Sequence, residues 1–414
     1  LKKVTFEYDS KNRVTKITDE RYGVSAKVTT FTYDASGNLI QSSEAGLATN
    51  FTYDTSGEVL TLIDPLVHKT TWTRDSFGNK LTEMDASNKT TAFEYDVIAR
   101  LKKITDADTK TTSYTYDNNG NLLTQTNAAG TTTNIYDKEN RLVKTTLPNN
   151  SVTELTYNSS GSLNSVKDAL INLTSYGYDI YQNLTSQQDA LNRTTTHAYD
   201  QMNRRTQSTT PLGKQSKWEY DPNGNITKRI DANNKATSSM HDAFNRLTKI
   251  TYPDAKTITY TYDNRGNMLS MVDPIGTTTY TYDNFDRLLT ANNPYGRQIS
   301  YTYDASDNLT KITYPDNLAV NYTYDVNNSL VSVKDWNNST SSYSYFGNGL
   351  LSTRTMPNGV TSTYNYDSAN RLYSLEHTKS GSTLAKFVYE RDSLGNITKA
   401  TEEINFERLT QYIK

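Results

Sequence analysis

Polar and apolar positions alternate over short stretches of this chain, and each stretch stops at an aspartate. In Thr277-Thr278-Thr279-Tyr280-Thr281-Tyr282, Tyr280 and Tyr282 share one face of an extended segment, while Thr279 and Thr281 take the other. β-Branched and aromatic side chains fit a pleated, half-buried surface, so the stretch predicts a strand. After the aspartate come two variable residues, then Gly, Asn or Asp, then Asn or Arg. An apolar residue next opens a second alternating stretch, such as Leu247-Thr248-Lys249-Ile250-Thr251. An Asp side chain accepts hydrogen bonds from backbone N–H groups two or three residues on, and Gly, Asn and Asp tolerate positive φ, so the interval predicts a turn. The second stretch ends at another turn residue, as at Asp64, Asp85, Asp106, Asp231 and Asp273. One such unit is a β-hairpin plus its return turn.

The unit recurs in nineteen registers from position 9 to position 392, mostly at steps of 20 or 21 residues, and these fill residues 1–414 as one continuous array. Asp occupies 17 of the 19 positions, with Asn158 and Phe346 as the exceptions, and Tyr precedes it in 16, with Arg74, His241 and Arg391 in the others. Representative motifs are Tyr33-Asp34 with Gly37-Asn38, Tyr116-Asp117 with Gly120-Asn121, Tyr220-Asp221 with Gly224-Asn225, and Tyr262-Asp263 with Gly266-Asn267. Nineteen hairpins predict an all-β fold of about 38 antiparallel strands, a sheet about 180 Å long at the usual strand spacing. Twisted sheets of that size curl, so the array is expected to coil into a spiral, cocoon-like shell. One detail resists simple alternation: Leu101 and Ile104, Leu247 and Ile250, and Leu309 and Ile312 would point to opposite faces. Either a bulge intervenes or both faces carry apolar patches.

Composition narrows the functions open to such a sheet. The 43 Lys and Arg nearly balance 45 Asp and Glu, which argues against nucleic acid, since phosphate binding rests on clustered basic residues. There is no cysteine, hence no thiolate chemistry and no disulfide framework. No apolar run reaches the roughly 18 residues of a membrane span, and the start, Leu1-Lys2-Lys3-Val4, has no signal-peptide apolar core, so the chain reads as processed or cut from a longer one. The hydrophobic share of 34% is low, but 32 of those residues are Tyr, which fits a thin sheet with wet faces.

Candidate chemistry is sparse. The Asp column offers one carboxylate per turn, whereas a calcium ion needs six to eight oxygens at one place, so turn capping is the expected role. His68, His197, His241 and His377 are scattered in repeat register, no carboxylate pair stands out for glycoside hydrolysis, and no phosphate-binding or nucleophile-elbow motif occurs. No cofactor and no catalytic residue is expected. Tyrosines remain: Tyr114 with Tyr116, Tyr280 with Tyr282, and Tyr301 with Tyr303 are expected to pack across neighbouring strands, or to face a guest or glycan as a sticky aromatic wall.

Stretches such as Tyr116-Asp117-Asn118-Asn119-Gly120-Asn121-Leu122 and Asp283-Asn284-Phe285-Asp286-Arg287-Leu288 resemble the YD repeats of the Rhs family, which includes bacterial Rhs and wall-associated proteins, the shell of Tc toxins, and the teneurins. The resemblance covers essentially the whole chain. It implies a coiled β-sheet cocoon that in toxin members holds an unfolded C-terminal toxin domain and in teneurins serves adhesion. Toxin-releasing members end the shell with an Asp-Pro-x-Gly motif. Here Asp273-Pro274-Ile275-Gly276 lies in mid-array and reads as an ordinary turn, as does Asp64-Pro65. The expectation is a non-enzymatic shell segment of a secreted or cell-surface protein, bacterial in its wording. Its partners would be a C-terminal effector or flanking shell segments. Two alternatives are a module that binds cell-surface glycan, and a chain that self-associates into filaments through exposed strand edges.

Overall fold

The computed structural model describes residues 3–20 and 26–405. They form one all-β sheet of 38 strands, from β1 (Val4–Tyr8) to β38 (Ile397–Ile404), and the registers pair strands that are consecutive in sequence, always antiparallel. The chain divides into two compact units. Unit 1 comprises Leu1–Thr132, Asp283–Leu289 and Ile299–Lys414; unit 2 comprises Thr133–Tyr282 and Thr290–Gln298.

The hairpin of β11 (Thr111–Tyr116) and β12 (Leu122–Asn127) shows how the sequence sets the register. Thr115 pairs with Thr124, but Tyr116 pairs with Leu122, so Leu123 is an extra residue on the second strand. The same slip recurs at Tyr33 opposite Leu39, at His241 opposite Leu247 and at Tyr303 opposite Leu309. A bulge of this kind turns two residues toward the same side. Of the two readings left open by the sequence, the bulge holds: Leu247 pairs with His241 and Ile250 with Ser239, which puts both on the side that carries the tyrosines.

The two faces differ. In the strand Gly276–Tyr282, Thr277, Thr279 and Thr281 are exposed, while Thr278, Tyr280 and Tyr282 are half-buried. On the exposed face hydroxyls meet in cross-strand pairs, Thr115 with Thr124 at 2.6 Å and Thr281 with Thr290 at 2.7 Å. In other hairpins an ion pair takes that place, Lys103 with Glu94 at 2.9 Å and Lys228 with Glu219 at 3.1 Å. Among the described residues, buried apolar side chains are few: Val320, Val360, Leu384 and Ala385. Cohesion therefore rests on a half-buried face, ladder hydrogen bonds and the links between repeats rather than on a deep apolar core.

Candidate functional site: the repeat turn and the seam between rows

Each turn is built around one carboxylate. Oδ1 of Asp117 accepts the backbone N–H groups of Asn119 (2.9 Å) and Asn121 (2.8 Å), and Oδ2 accepts the side-chain amide of Asn121 (2.8 Å). The main chain closes beneath it, with the N–H of Asp117 donating to Asn121 O and that of Gly120 to Asp117 O. Asp34 with Asn38, Asp221 with Asn225 and Asp263 with Asn267 repeat the arrangement. The donors sit chiefly two and four residues on, and the third position joins at Gly37 and Gly266; the fourth-position donor went unforeseen. At the third position φ is positive in all nineteen repeats, even where the residue is Ala99 or Gln182. This is the type I turn plus left-handed residue of a three-residue hairpin loop.

The electrostatics follow from that geometry. The Asn121 side chain, with the backbone N–H groups, holds the Asp117 carboxyl below its ordinary value against the opposing effect of desolvation. At Asp34 the backbone N–H of Asn38 is the largest cause of the same lowering. Asn158 keeps the turn with its amide oxygen, which accepts the N–H groups of Ser160 and Ser162. Phe346 keeps only the backbone bonds, and its ring stands edge-on to Tyr366 at 6.0 Å. Asp273 accepts the N–H groups of Ile275 and Gly276, so the Asp-Pro-x-Gly wording is a hairpin turn, as expected.

The Asn-or-Arg column links one repeat to the next. Nε of Arg246 donates to Oδ2 of its own Asp242 at 2.7 Å, NH1 donates to the carbonyl of Asp263 in the following repeat at 2.7 Å, and the guanidinium lies 4.8 Å from the ring centre of Tyr262. Arg100 over Tyr116, Arg204 over Tyr220 and Arg287 over Tyr303 do the same. A planar cation with a fixed fork suits all three contacts together.

The tyrosine column has its own task. Beyond each bulge the ladder to the following hairpin opens: the strand of Leu101 pairs with β11 only from Lys103 onward. Tyr116 fills the gap by donating its hydroxyl to Leu101 O at 2.8 Å; Tyr262 serves Leu247, Tyr282 serves Met268 and Tyr303 serves Leu288. In two of the three repeats that lack the tyrosine, another donor takes the carbonyl. Arg391 reaches Leu372 O with Nε at 3.1 Å, and in the repeat of His241 the hydroxyl of Ser239 reaches Ile226 O at 2.9 Å. Burial raises the phenol pKa of Tyr116, Tyr262, Tyr282 and Tyr303. Tyr114, Tyr280 and Tyr301 lie half-buried on the same side. Sequence reasoning found the tyrosines but not their acceptors, which lie in the preceding repeat.

Within unit 1, two rows of hairpins meet turn to turn. The hydroxyl of Ser306 donates to Oδ2 of Asp64 at 2.8 Å and the amide of Asn327 to Oδ2 of Asp85 at 2.9 Å, both across 242 residues; the N–H of Asn348 donates to Oδ2 of Asp108 at 3.0 Å. Lys110 adds a bond to the carbonyl of Asp367 at 3.0 Å. Return turns of the earlier row thus present carboxylates to the second turn residue after the YD position of the later row. A cavity of about 830 Å³ opens along this seam, lined among others by Leu62, His68, Asp85, Asn327, Tyr343 and Phe346. Among the described residues no group of three His, Asp or Glu side chains is placed to hold a metal, and no helix is long and apolar enough to cross a membrane.

Hairpin, carboxylate turn and capped carbonyl together define a YD-repeat β-sheet protein. The profile of the teneurin YD-shell matches residues 136–290 and 232–412, and that of the RHS repeat matches residues 100–132. The chain belongs to the teneurin YD-shell family, within the wider class of Rhs repeats. No curated protein sequence matches it. In structure it is similar to the TcdB2-TccC3 complex, with a TM-score of 0.66 and 17% identity over 97% of this chain and 28% of that one. It is also similar to a Photorhabdus luminescens Tc holotoxin pore, with a TM-score of 0.66 and 17% identity over 97% of this chain and 27% of that one. At that identity the likeness establishes the fold, and the chain spans under a third of the length of either complex chain.

Proposed function

We propose that residues 1–414 are a non-enzymatic shell segment of a secreted or cell-surface YD-repeat protein, and that the shell encloses or presents a C-terminal effector. The observation that carries this reading is the seam of unit 1, where rows 240 to 242 residues apart join rim to rim through Asp64, Asp85 and Asp108. A sheet that stacks on itself in this way makes a wall taller than one strand. The fold shared with Tc toxin complexes supports the same reading, since TcdB2-TccC3 has a hypervariable C-terminal region and has been crystallised without it. Turn carboxylates occupied by their own backbone and by Asn or Arg favour architecture over catalysis. The half-buried tyrosines Tyr114, Tyr280 and Tyr301 are the candidates to touch a guest.

The test is limited proteolysis of a chain carrying the native downstream region. Protection of that region while the repeats are folded, and its digestion once they are unfolded by acid, supports enclosure. Equal digestion in both states rejects it.

A further inference from the structure

Successive YD turns are separated by a slot, and the Asn-or-Arg column decides what fills it. Where the column holds Arg, the guanidinium does so: Arg246 lies on the ring of Tyr262 and bonds both Asp242 and the carbonyl of Asp263, and Arg100, Arg204 and Arg287 reach the carbonyls of Asp117, Asp221 and Asp304. Where it holds Asn, a shorter bridge serves. The amides of Asn183, Asn225 and Asn308 donate to Oδ1 of Asn203, Asn245 and Asn328, the third-position residues of the following turns, each at 2.8 Å.

The slot after Asn38 has neither device. The third-position residue of its following turn is Gly57, which has no side chain to receive a bridge, although a Cβ there would stand only 3.7 Å from Asn38 Oδ1. A cavity of about 510 Å³ opens at this point, lined among others by Asp34, Asn38, Ile40, Phe51, Tyr53 and Asp54. Among the column's Asn residues that are followed by another repeat, only Asn79, before Ala99, shares the lack, and a methyl group stands there.

The groups around the cavity are those that hold a guanidinium elsewhere in the chain. Tyr53 offers a half-buried ring, Asp34 a carboxylate, and Asp54 a carbonyl that takes the N–H of Gly57. The carbonyl of Asp263 takes the N–H of Gly266 in the same way and accepts from Arg246 as well, since a carbonyl has two lone pairs. Ile40 and Phe51 supply apolar lining suited to the methylene stem of a long side chain. The charge balance agrees. Burial raises the Tyr53 phenol and the Asp34 carboxylate pushes it the same way, whereas at Tyr116 and Tyr262 the guanidiniums of Arg100 and Arg246 oppose the rise. Arg13 stands on the other flank of the Asp34 turn, 4.5 Å over Tyr33.

We infer that the slot between the turns of Asp34 and Asp54 binds an arginine side chain presented by a partner polypeptide. The guanidinium stacks on Tyr53 and donates to Asp54 O and to the Asp34 carboxylate, as Arg246 does with Tyr262, Asp263 and Asp242. A planar cation can make all three contacts together, and an ammonium cannot. The inference is independent of whether a shell encloses an effector.

The test is calorimetric titration of the full chain with the capped tripeptide acetyl-Gly-Arg-Gly-amide, and with the same peptide carrying lysine or citrulline in place of arginine. The arginine peptide is expected to bind saturably, and the other two at least about tenfold more weakly. Two variants close the slot by the chain's own devices: Asn38→Arg supplies the guanidinium, and Gly57→Asn supplies the bridge at a positive φ that asparagine tolerates. Each is expected to lose the binding while circular dichroism shows the sheet intact. Absence of saturable binding to the wild type overturns the inference, as does binding that persists unchanged in both variants or a lysine peptide that binds as tightly as the arginine one.

Discussion

The hydroxyl of Tyr262 lies 2.7 Å from the carbonyl oxygen of Leu247, fifteen residues earlier, and closes the gap that the bulge leaves between one hairpin and the next. Removing that hydroxyl with Tyr262→Phe leaves a half-buried carbonyl without this donor and is expected to cost about 1–2 kcal/mol in denaturant unfolding. The repeat of His241 supplies the control. Ser239→Ala removes the substitute donor to Ile226 O, and adding His241→Tyr is expected to recover most of the loss, as a double-mutant cycle would measure.

Arg246 bonds its own turn, the next turn and the face of Tyr262. Arg246→Lys keeps the charge but loses the planar fork and the stacking. A loss of about 0.5–2 kcal/mol is expected in thermal unfolding, and high salt should recover none of it.

Val67 occupies a return turn at φ 68 and is exposed. Left-handed backbone costs a residue with a Cβ about 1–2 kcal/mol, so Val67→Gly is expected to stabilise the fold by up to about 1 kcal/mol, despite the greater chain entropy of glycine. A lowered melting temperature would contradict this.

The seam can be tested by a cycle between Asp85→Ala and Asn327→Ala. The two residues share one hydrogen bond across 242 positions, and a coupling of about 1 kcal/mol is expected. Zero coupling would mean that the rows of unit 1 do not join there in solution.

Stability should have a plateau bounded on both sides. The turn carboxyls of Asp117, Asp137 and Asp221 are held below their ordinary value, first by side-chain hydrogen bonds from Asn121, Arg141 and Asn225. Their contribution is complete above the unfolded pKa, about 3.9, and is lost as pH falls through the lower folded values. Phenols raised by burial, such as Tyr282, act in the opposite sense. Their contribution is complete below about 10 and disappears as pH rises through the higher folded values. Melting temperature followed against pH checks the acid side, and phenolate absorbance checks the alkaline side.

The hairpins were legible because their determinants are local: alternation fixes the strand, and Asp with a left-handed residue three places on fixes the turn. The bulge was half-legible, as a conflict between Leu247 and Ile250 that needed pairing to resolve. The role of the Tyr262 hydroxyl was not legible, because its acceptor is a main-chain atom that looks alike at every residue. The bond between Asp64 and Ser306 left no trace in the pattern, because nothing local distinguishes a carboxylate that bonds across 242 residues from one that does not.

That seam has teeth of equal pitch on both sides. If one hairpin were deleted from the chain between Lys110 and Ser306, Asp64 would come opposite Asn327 and Asp85 opposite Asn348, so these two carboxylates would again meet a polar residue, while Asp108 would come opposite Ala369 and lose its partner. The joint is commensurate, like a rack that can move by one tooth and still engage. A whole repeat can therefore be gained or lost with most of the fit kept, at the cost of the contact at Asp108.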